Sequence, residues 1–262
     1  VLFFPMVLPM MLLPNRSHPL LRNPLRSLRS PLVPGTHIFP FLSFPFLSFP
    51  FNVLSLSLSR YKHRFVMPDN GTNDGLYHNH VVGNGVHLIG MDTESWWDKA
   101  YMNQRQLNFL QHELDSSPND HWRIAFGHRP LYASNHGGAD IPAGYYYLRK
   151  KIEDKILGKY EVDLVIQAHE HDYERSWPVT SNGTIWETDY VSPTHPVYVV
   201  NGAAGNREAE PTPPGKMPWQ PQDQNFTNII SFGRLTVQGN EMKWEQIASM
   251  DGSIQDSFTI TK

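Results

Sequence analysis

Short apolar runs alternate with amphipathic helical segments from residue 61 onward, and this alternation strongly limits the possible folds. The predicted buried strands cover residues 86–91, 123–126, 162–166 and 197–200. The leucine and isoleucine spacing predicts helices over 103–115 and 145–157. Strands that alternate with helices form layered α/β folds. We therefore predict an α/β fold for this part of the chain.

The C-terminal part of the chain has a different pattern. Strand-like runs at 229–237, 241–247 and 257–260 follow one another without a helix between them. Gly239-Asn240 and Asp251-Gly252 separate these runs and are typical turn sequences. The pattern predicts an antiparallel meander at the end of an otherwise layered domain.

Residues 1–60 contain no Asp or Glu, whereas residues 61–262 carry all 25 acidic residues. Phe, Leu, Ser and Pro dominate this segment, and its recurring prolines block helices and remove ladder donors. A membrane span needs about 20 uninterrupted apolar residues, and the prolines prevent such a run. Because these residue types have pyrimidine-rich codons, we interpret residues 1–60 as translated non-coding sequence. The alternative is a disordered Pro-rich tail or leader.

The overall composition excludes several classes of function. The net charge of -3 gives no broad basic surface, so we expect no nucleic-acid partner. The chain has 13 His and no Cys, so a transition-metal site must use His, carboxylate, Asn or Tyr ligands. Sequons favour a secretory route weakly, because such tripeptides also arise by chance. They begin at Asn15, Asn70, Asn182 and Asn225.

Histidines follow two of the predicted strands. His169 and His171 come after the run 162–166, and in an extended chain residues two apart face the same side. His128 follows the strand 123–126, where Gly127 permits a close backbone approach. A single loop histidine is more often an ordinary loop residue. Three imidazoles at one sheet edge instead predict a metal site.

The segments around these histidines resemble motifs of the purple acid phosphatases. Gly127 to Tyr132 resembles that family's Gly-His-Arg-Pro-x-Tyr motif, and Ala168 to Arg175 resembles its Gly-His-x-His-x-Tyr-Glu-Arg motif. Residues 199–208 are similar to the glycine-rich stretch that follows, and Phe232-Gly233-Arg234-Leu235 and Trp244-Glu245-Gln246 match its C-terminal strands. Ala168 replaces the usual glycine, which we expect to be tolerated if its φ is negative.

The resemblance implies a partial four-layer α/β/β/α metallophosphoesterase sandwich over 61–262, with 195–262 as the family's C-terminal region. It implies a dinuclear centre of Fe with Zn, Mn or Fe. His128 and His169 would bind the divalent metal and His171 the other metal. His136 lies near the position of a substrate-contacting histidine, while Tyr173 and Glu174 would support the ligands. The implied reaction is metal-assisted hydrolysis of small phosphorylated substrates by a secreted, vacuolar or lysosomal enzyme.

Four of the family's seven metal ligands lie upstream of this region and have no counterpart here. No Asp precedes Asp69, and no Gly-Asn-His occurs in the chain. Three neutral imidazoles cannot offset two cations, and no carboxylate is available to bridge them. We hypothesise that this chain is inactive, binds metal weakly and folds poorly, whereas its parent protein is an acid phosphatase. The alternatives are a pseudoenzyme that acts as a binding module and a related metallophosphodiesterase.

Overall fold

The computed structural model describes residues 2–4, 75–83, 85–94, 104–134, 143–180, 183–205, 217–223 and 229–262. Its strands are β1 (Leu2–Phe4), β2 (His78–Val82), β3 (Val86–Gly90), β4 (Trp122–Phe126), β5 (Leu164–Gln167), β6 (Tyr173–Arg175), β7 (Val179–Thr180), β8 (Thr184–Ile185), β9 (Val197–Asn201), β10 (Ser231–Gln238), β11 (Glu241–Ala248) and β12 (Ile254–Thr261). The helices are α1 (Gln104–Ser116) and α2 (Ala143–Ile152), and α2 continues into a π-helical turn, Glu153–Gly158.

The larger sheet has six strands in the order β2-β3-β4-β5-β9-β6. Its four central strands, β3, β4, β5 and β9, run parallel to one another. The edge strands β2 and β6 pair antiparallel to β3 and β9. Because parallel strands need crossovers, the helices lie between them in the sequence. The predicted α/β class is therefore confirmed.

The two faces of this sheet pack against different layers. Ala125, Val165 and Tyr198 belong to an apolar core that also contains α1 and α2 side chains such as Leu110 and Leu148. The alternate residues of the same strands pack against the smaller sheet. These residues are Ile124, Leu164, Ile166, Val197 and Val199, and their partners include Leu235, Trp244 and Ile260. The described residues thus build helices, a six-stranded sheet and a second sheet in successive layers.

The second sheet contains the predicted C-terminal meander. Its strand order is β1-β10-β11-β12, and adjacent strands pair antiparallel. Trp244 of β11 is fully buried between the sheets. A side chain at Gly233 would collide with this indole, because a Cβ there would lie 2.1 Å from the ring. The glycine on β10 is therefore what lets the Trp244 ring cross the strand pair.

The segment 1–60 contributes one short strand to the described residues. Leu2–Phe4 pairs antiparallel with β10, opposite Gly233 to Leu235. These three residues are apolar and precede Pro5, the first proline, so the strand does not run through the proline-rich stretch. The rest of the segment lies outside the described residues, and its interpretation as non-native sequence stays a prediction.

Two further observations concern the chain as a whole. Contacts between Cα atoms group Val1–Leu8 with Met67–Lys262 as one unit and separate Pro9–Val66 as another. Within the described part of the chain, no helix has the length and apolarity to cross a bilayer.

Candidate metal centre

Three neighbouring parallel strands end at the candidate site. Glu94 follows β3, His128 and Arg129 follow β4, and His169 follows β5. β4 pairs in parallel with both β3 and β5, so their carboxyl ends meet at one edge. Ligands in open α/β sheets lie at this edge. The topology therefore confirms that His128 and His169 follow strand tips on the same edge.

Backbone hydrogen bonds tie the three tips together. The amide of Met91 donates to the carbonyl of Phe126 at 2.8 Å, and that of Gly127 donates to the carbonyl of Ile166 at 3.0 Å. Beyond the strands, the amide of Ala168 donates to the carbonyl of His128 at 3.0 Å. A backbone hydrogen bond thus joins the two segments that carry His128 and His169. Their separation is fixed by the sheet rather than by flexible loops.

Gly127 allows a close approach of the first two tips. A Cβ at this position would lie 2.7 Å from Cγ2 of Thr93, which is closer than real Cβ contacts. The hydroxyl of Thr93 accepts a hydrogen bond from the amide of Arg129 at 2.8 Å. The absence of a side chain at Gly127 therefore permits close packing against Thr93, and a close approach to a ligand stays a prediction.

A second glycine shapes the histidine loop after β5. A Cβ at Gly202 would lie 1.7 Å from the carbonyl oxygen of Glu170, so no other residue fits without moving the loop. The amide of Gly202 also donates to the carbonyl of Asp172 at 2.9 Å. His169 itself is left-handed, with a φ of 69°, whereas Ala168 is not. The expectation that Ala168 is tolerated at a negative φ is therefore met.

The imidazoles of His128 and His169 face each other. His169 Nδ1 lies 3.1 Å from His128 Nε2, and the ring centroids are 5.0 Å apart with an interplanar angle of 79°. Two nitrogens bound to one tetrahedral zinc at about 2.05 Å would lie about 3.3 Å apart. The two side chains therefore already have the separation that a shared cation requires.

The protonation state of His128 also suits a ligand. Its pKa is lowered, first by burial and then by the nearby charges of Arg129 and His171, while Glu94 acts in the opposite direction. Neutral imidazole is the form that binds metal. His128 therefore retains this form at a lower pH than an ordinary histidine.

His171 is less closely placed. It is near enough to His128 for its charge to affect the pKa of that residue. Among the described residues, however, no group of three or more His, Asp or Glu side chains is gathered closely enough to hold a metal ion. The structure thus brings His128 and His169 into contact and leaves His171 beside them. His136 lies outside the described residues.

Sequence reasoning missed an ion pair at this site. Arg129 donates from Nε to Glu94 Oε1 at 2.8 Å and from Nη2 to Glu94 Oε2 at 3.3 Å. Its remaining nitrogen, Nη1, contacts His169 Nε2. The available signal was position, because Glu94 follows β3 just as His128 follows β4. Arg129 and Glu94 are 35 positions apart, so no local sequence pattern indicates that they form an ion pair.

Tyr173 and Glu174 anchor the strand that follows the histidine loop. The hydroxyl of Tyr173 donates to Asp256 Oδ2 at 2.8 Å. Glu174 accepts from the Ser134 hydroxyl at 2.7 Å and from Gln220 Nε2 at 2.7 Å. Burial is the largest cause that raises the pKa of Glu174 to about 7. Both side chains hold β6 in place, and their support of the histidine ligands stays a prediction.

Comparison with known proteins identifies the family. The sequence pattern described as Calcineurin-like phosphoesterase matches residues 32–173, and that described as Iron/zinc purple acid phosphatase-like protein C matches residues 195–257. This chain belongs to the purple acid phosphatase family. The first pattern begins inside the Pro-rich segment and includes both His128 and His169.

Relatives and a solved structure agree with this assignment. Acid phosphatase type 7 from Mus musculus and from Homo sapiens are each 32% identical over 225 residues, which is 79% of this chain and 50% of theirs. The chain thus spans about half the length of these curated relatives. The structure of purple acid phosphatase PPD1 from yellow lupin (Lupinus luteus) seeds matches with a TM-score of 0.62 and 24% identity. The match covers 78% of this chain and 35% of the lupin chain, and it supports the purple acid phosphatase fold.

Proposed function

We propose that the protein to which this chain belongs is a metal-dependent acid phosphatase that hydrolyses phosphate monoesters. The observation that carries the proposal is the 3.1 Å approach of His169 Nδ1 to His128 Nε2 at adjacent strand tips. The dinuclear centre would contain Fe with Zn, Mn or Fe. His128 and His169 would hold one cation, and His171 would contribute to the other. His136 is proposed as a substrate contact on the motif alone.

The metals, when bound, would polarise the phosphoryl group and supply an activated water. This chain's own residues orient the ligands. The Ala168–His128 backbone bond sets the distance between the two histidine backbones, and the Gly202 contact sets the path of the loop. The lowered pKa of His128 favours its neutral form, which is the form that binds metal.

An inactive fragment or binding module is the second candidate. It is favoured by the lack, in the described part of the chain, of any cluster of three metal-binding side chains. The sequence likewise offers only three of the family's seven ligands. We propose small phosphorylated substrates and a secreted, vacuolar or lysosomal location for the parent protein, with no nucleic-acid or membrane partner. Family membership and the sequons support that location.

Metal content and turnover test both candidates. The purified chain would be loaded with Fe, Zn or Mn, and phosphate release from an aryl phosphate would be measured at acidic pH. Turnover with two metals per chain supports an active enzyme and refutes the predicted inactivity of this chain. Bound metal without turnover, or no bound metal, favours the inactive fragment for this chain.

A longer protein that carries the upstream half tests the assignment of the ligands. His169→Ala and His171→Ala should each remove most of its activity, because each would take away an imidazole ligand. His112→Ala is the matched control, because His112 is an exposed histidine on α1. Activity that survives both ligand substitutions would refute the proposed centre.

A further inference from the structure

One polar side chain lies in the buried face of α1. Gln106 is fully buried, and the other buried residues of this helix are Phe109, Leu110 and Leu114. A buried amide is costly unless it forms hydrogen bonds. Both ends of the Gln106 amide bond to the backbone of Asp92. Oε1 accepts from the amide of Asp92 at 2.8 Å, and Nε2 donates to its carbonyl at 3.1 Å. Gln106 therefore joins the helix to the chain just after β3.

These two bonds continue the pairing of the sheet by one step. The ladder pairs of β3 with β2 and β4 end at Gly90. Met91 then donates from its amide to the carbonyl of Phe126 at 2.8 Å. At Asp92, the side chain of Gln106 exchanges an N–H···O bond in each direction, as two paired residues of antiparallel strands do. The helix thus serves as a neighbour of the β3 tip at the point where the ladder has ended.

The residues that follow Asp92 contact the segment that carries His128. The hydroxyl of Thr93 accepts from the amide of Arg129 at 2.8 Å, and the carboxylate of Glu94 accepts from Nε of Arg129 at 2.8 Å. Glu94 Oε1 also lies 3.7 Å from Nε2 of His128. The position of the β3 tip therefore affects where His128 and the residue after it lie.

We propose that Gln106 is a positioning residue for the candidate metal centre, because its two bonds to Asp92 hold the β3 tip where Thr93 and Glu94 support His128. The proposal rests on the proposed function and adds a residue of α1 to it. Gln106 acts on the backbone beside the ligands and does not bind a cation or a substrate itself. Loss of its two bonds should therefore weaken cation binding in a chain that still folds.

Zinc binding by the purified chain tests this role. Gln106→Met keeps the length of the side chain and removes both hydrogen bonds. We expect zinc binding to weaken roughly tenfold, because contacts that orient the ligands from outside contribute about this much to metal affinity. Leu110→Ala is the matched control, since Leu110 is buried one turn further along the same helix and its apolar side chain forms no hydrogen bond. It should lower stability through a cavity but change zinc affinity by less than about threefold.

Hydrogen exchange of two backbone amides gives a readout that does not depend on zinc. The amide of Arg129 bonds to the hydroxyl of Thr93 at the β3 tip, whereas the amide of Gly127 bonds to the carbonyl of Ile166 on β5. Gln106→Met should speed exchange at Arg129 roughly tenfold, because the tip that holds this amide opens more often. Exchange at Gly127 should stay unchanged. A general loss of stability would instead speed exchange at both amides.

Gln106→Glu provides a rescue at acidic pH. Burial favours the neutral form of a carboxyl group, so the new side chain should be protonated at about pH 5. A protonated carboxyl group can donate and accept, as the amide does. Exchange at Arg129 should then match that of the unsubstituted chain at the same pH, whereas Gln106→Met should still exchange faster. Gln106→Asn, which keeps an amide but is too short for both bonds, replaces Gln106→Met if that variant does not fold.

The possible outcomes separate this inference from the proposed function. Unchanged zinc affinity or unchanged exchange at Arg129 in Gln106→Met overturns the positioning role and leaves the metal centre standing. Equal losses of zinc affinity in Gln106→Met and Leu110→Ala overturn it as well, because Gln106 would then act only through stability. If the unsubstituted chain binds no zinc, the proposed centre fails in this chain, and the role of Gln106 in that centre fails with it.

Discussion

The C-terminal sheet and the three strand tips of the candidate site are stabilised in different ways. In the sheet, β10, β11 and β12 are eight residues long, and apolar side chains from alternate positions fill the space between the sheets. At the tips, polar side chains contact one another across about 35 to 40 residues of sequence. The sheet gains its stability from burial, whereas the tips are held by the strands beneath them. The two regions should therefore respond differently to substitution.

The largest loss of stability is expected at Trp244, in the sheet. Its side chain is fully buried between the two sheets. Trp244→Ala removes the ring and leaves a cavity, which costs about 3–5 kcal/mol of unfolding free energy. Denaturant unfolding measures the change, and Met250→Ala, at a residue 95% exposed, is the control. A loss below about 1 kcal/mol would contradict the view that burial dominates in this sheet.

A smaller loss is expected at Arg175, which joins the two sheets. Its guanidinium donates to Asp256 Oδ2 at 2.7 Å, and both side chains are buried. Arg175→Met leaves a buried carboxylate without this cation, at a cost of about 3 kcal/mol. The double substitution with Asp256→Asn should recover part of the loss, as unfolding of the four chains in a double-mutant cycle would show. Additive losses would mean that the two residues act independently.

The alternation of buried and exposed residues made the strands of the C-terminal sheet predictable from the sequence. Strands without this alternation were not predicted. β10, β11 and β12 were anticipated because period-two patterns are visible in a single sequence. β6 was not, because Tyr173-Glu174-Arg175 has no apolar alternation. These three residues are buried by partners distant in the sequence, Asp256 and Ser134 among them. The histidines were found from their positions after strands, but Glu94 needed the fold to connect it with Arg129.

The next effect concerns pH and the buried Glu174. Its pKa is raised to about 7 in the folded protein, above its ordinary value of 4.5. The folded state thus holds a proton that the unfolded state releases, so this group's contribution to stability falls as pH rises from about 4.5 to about 7. Glu174→Gln should reduce the fall in unfolding free energy over this pH range by up to about 3 kcal/mol.

Unfolding free energies across that pH range, with Glu241→Gln as an exposed control, measure the flattening. The amide keeps an oxygen for Ser134, so the fold should be preserved. The charge of Glu170 also raises the pKa of Glu174, so Glu170 stays unchanged in both variants. An unchanged slope would show that Glu174 does not titrate in this range.

The smallest stability effect is expected at His169, at the tips. Its φ of 69° is strained for histidine, and glycine adopts that angle freely. His169→Gly should therefore change the unfolding free energy by less than about 1 kcal/mol, because relief of strain offsets the lost contacts. Zinc binding should be lost in the same protein. A large loss of stability would mean that the tips hold the sheet together, which is the reverse of the comparison above.

The close contact between Gly202 and the carbonyl of Glu170 has a consequence for biosynthesis. The ribosome makes the histidine loop about thirty residues before the glycine that fixes its path, and a nascent chain folds from its N-terminal side. The loop can therefore reach its final conformation only after β9 has joined the sheet. Until then, residues 170–172 lack the contact that fixes their path, although the backbones that carry His128 and His169 can already be joined.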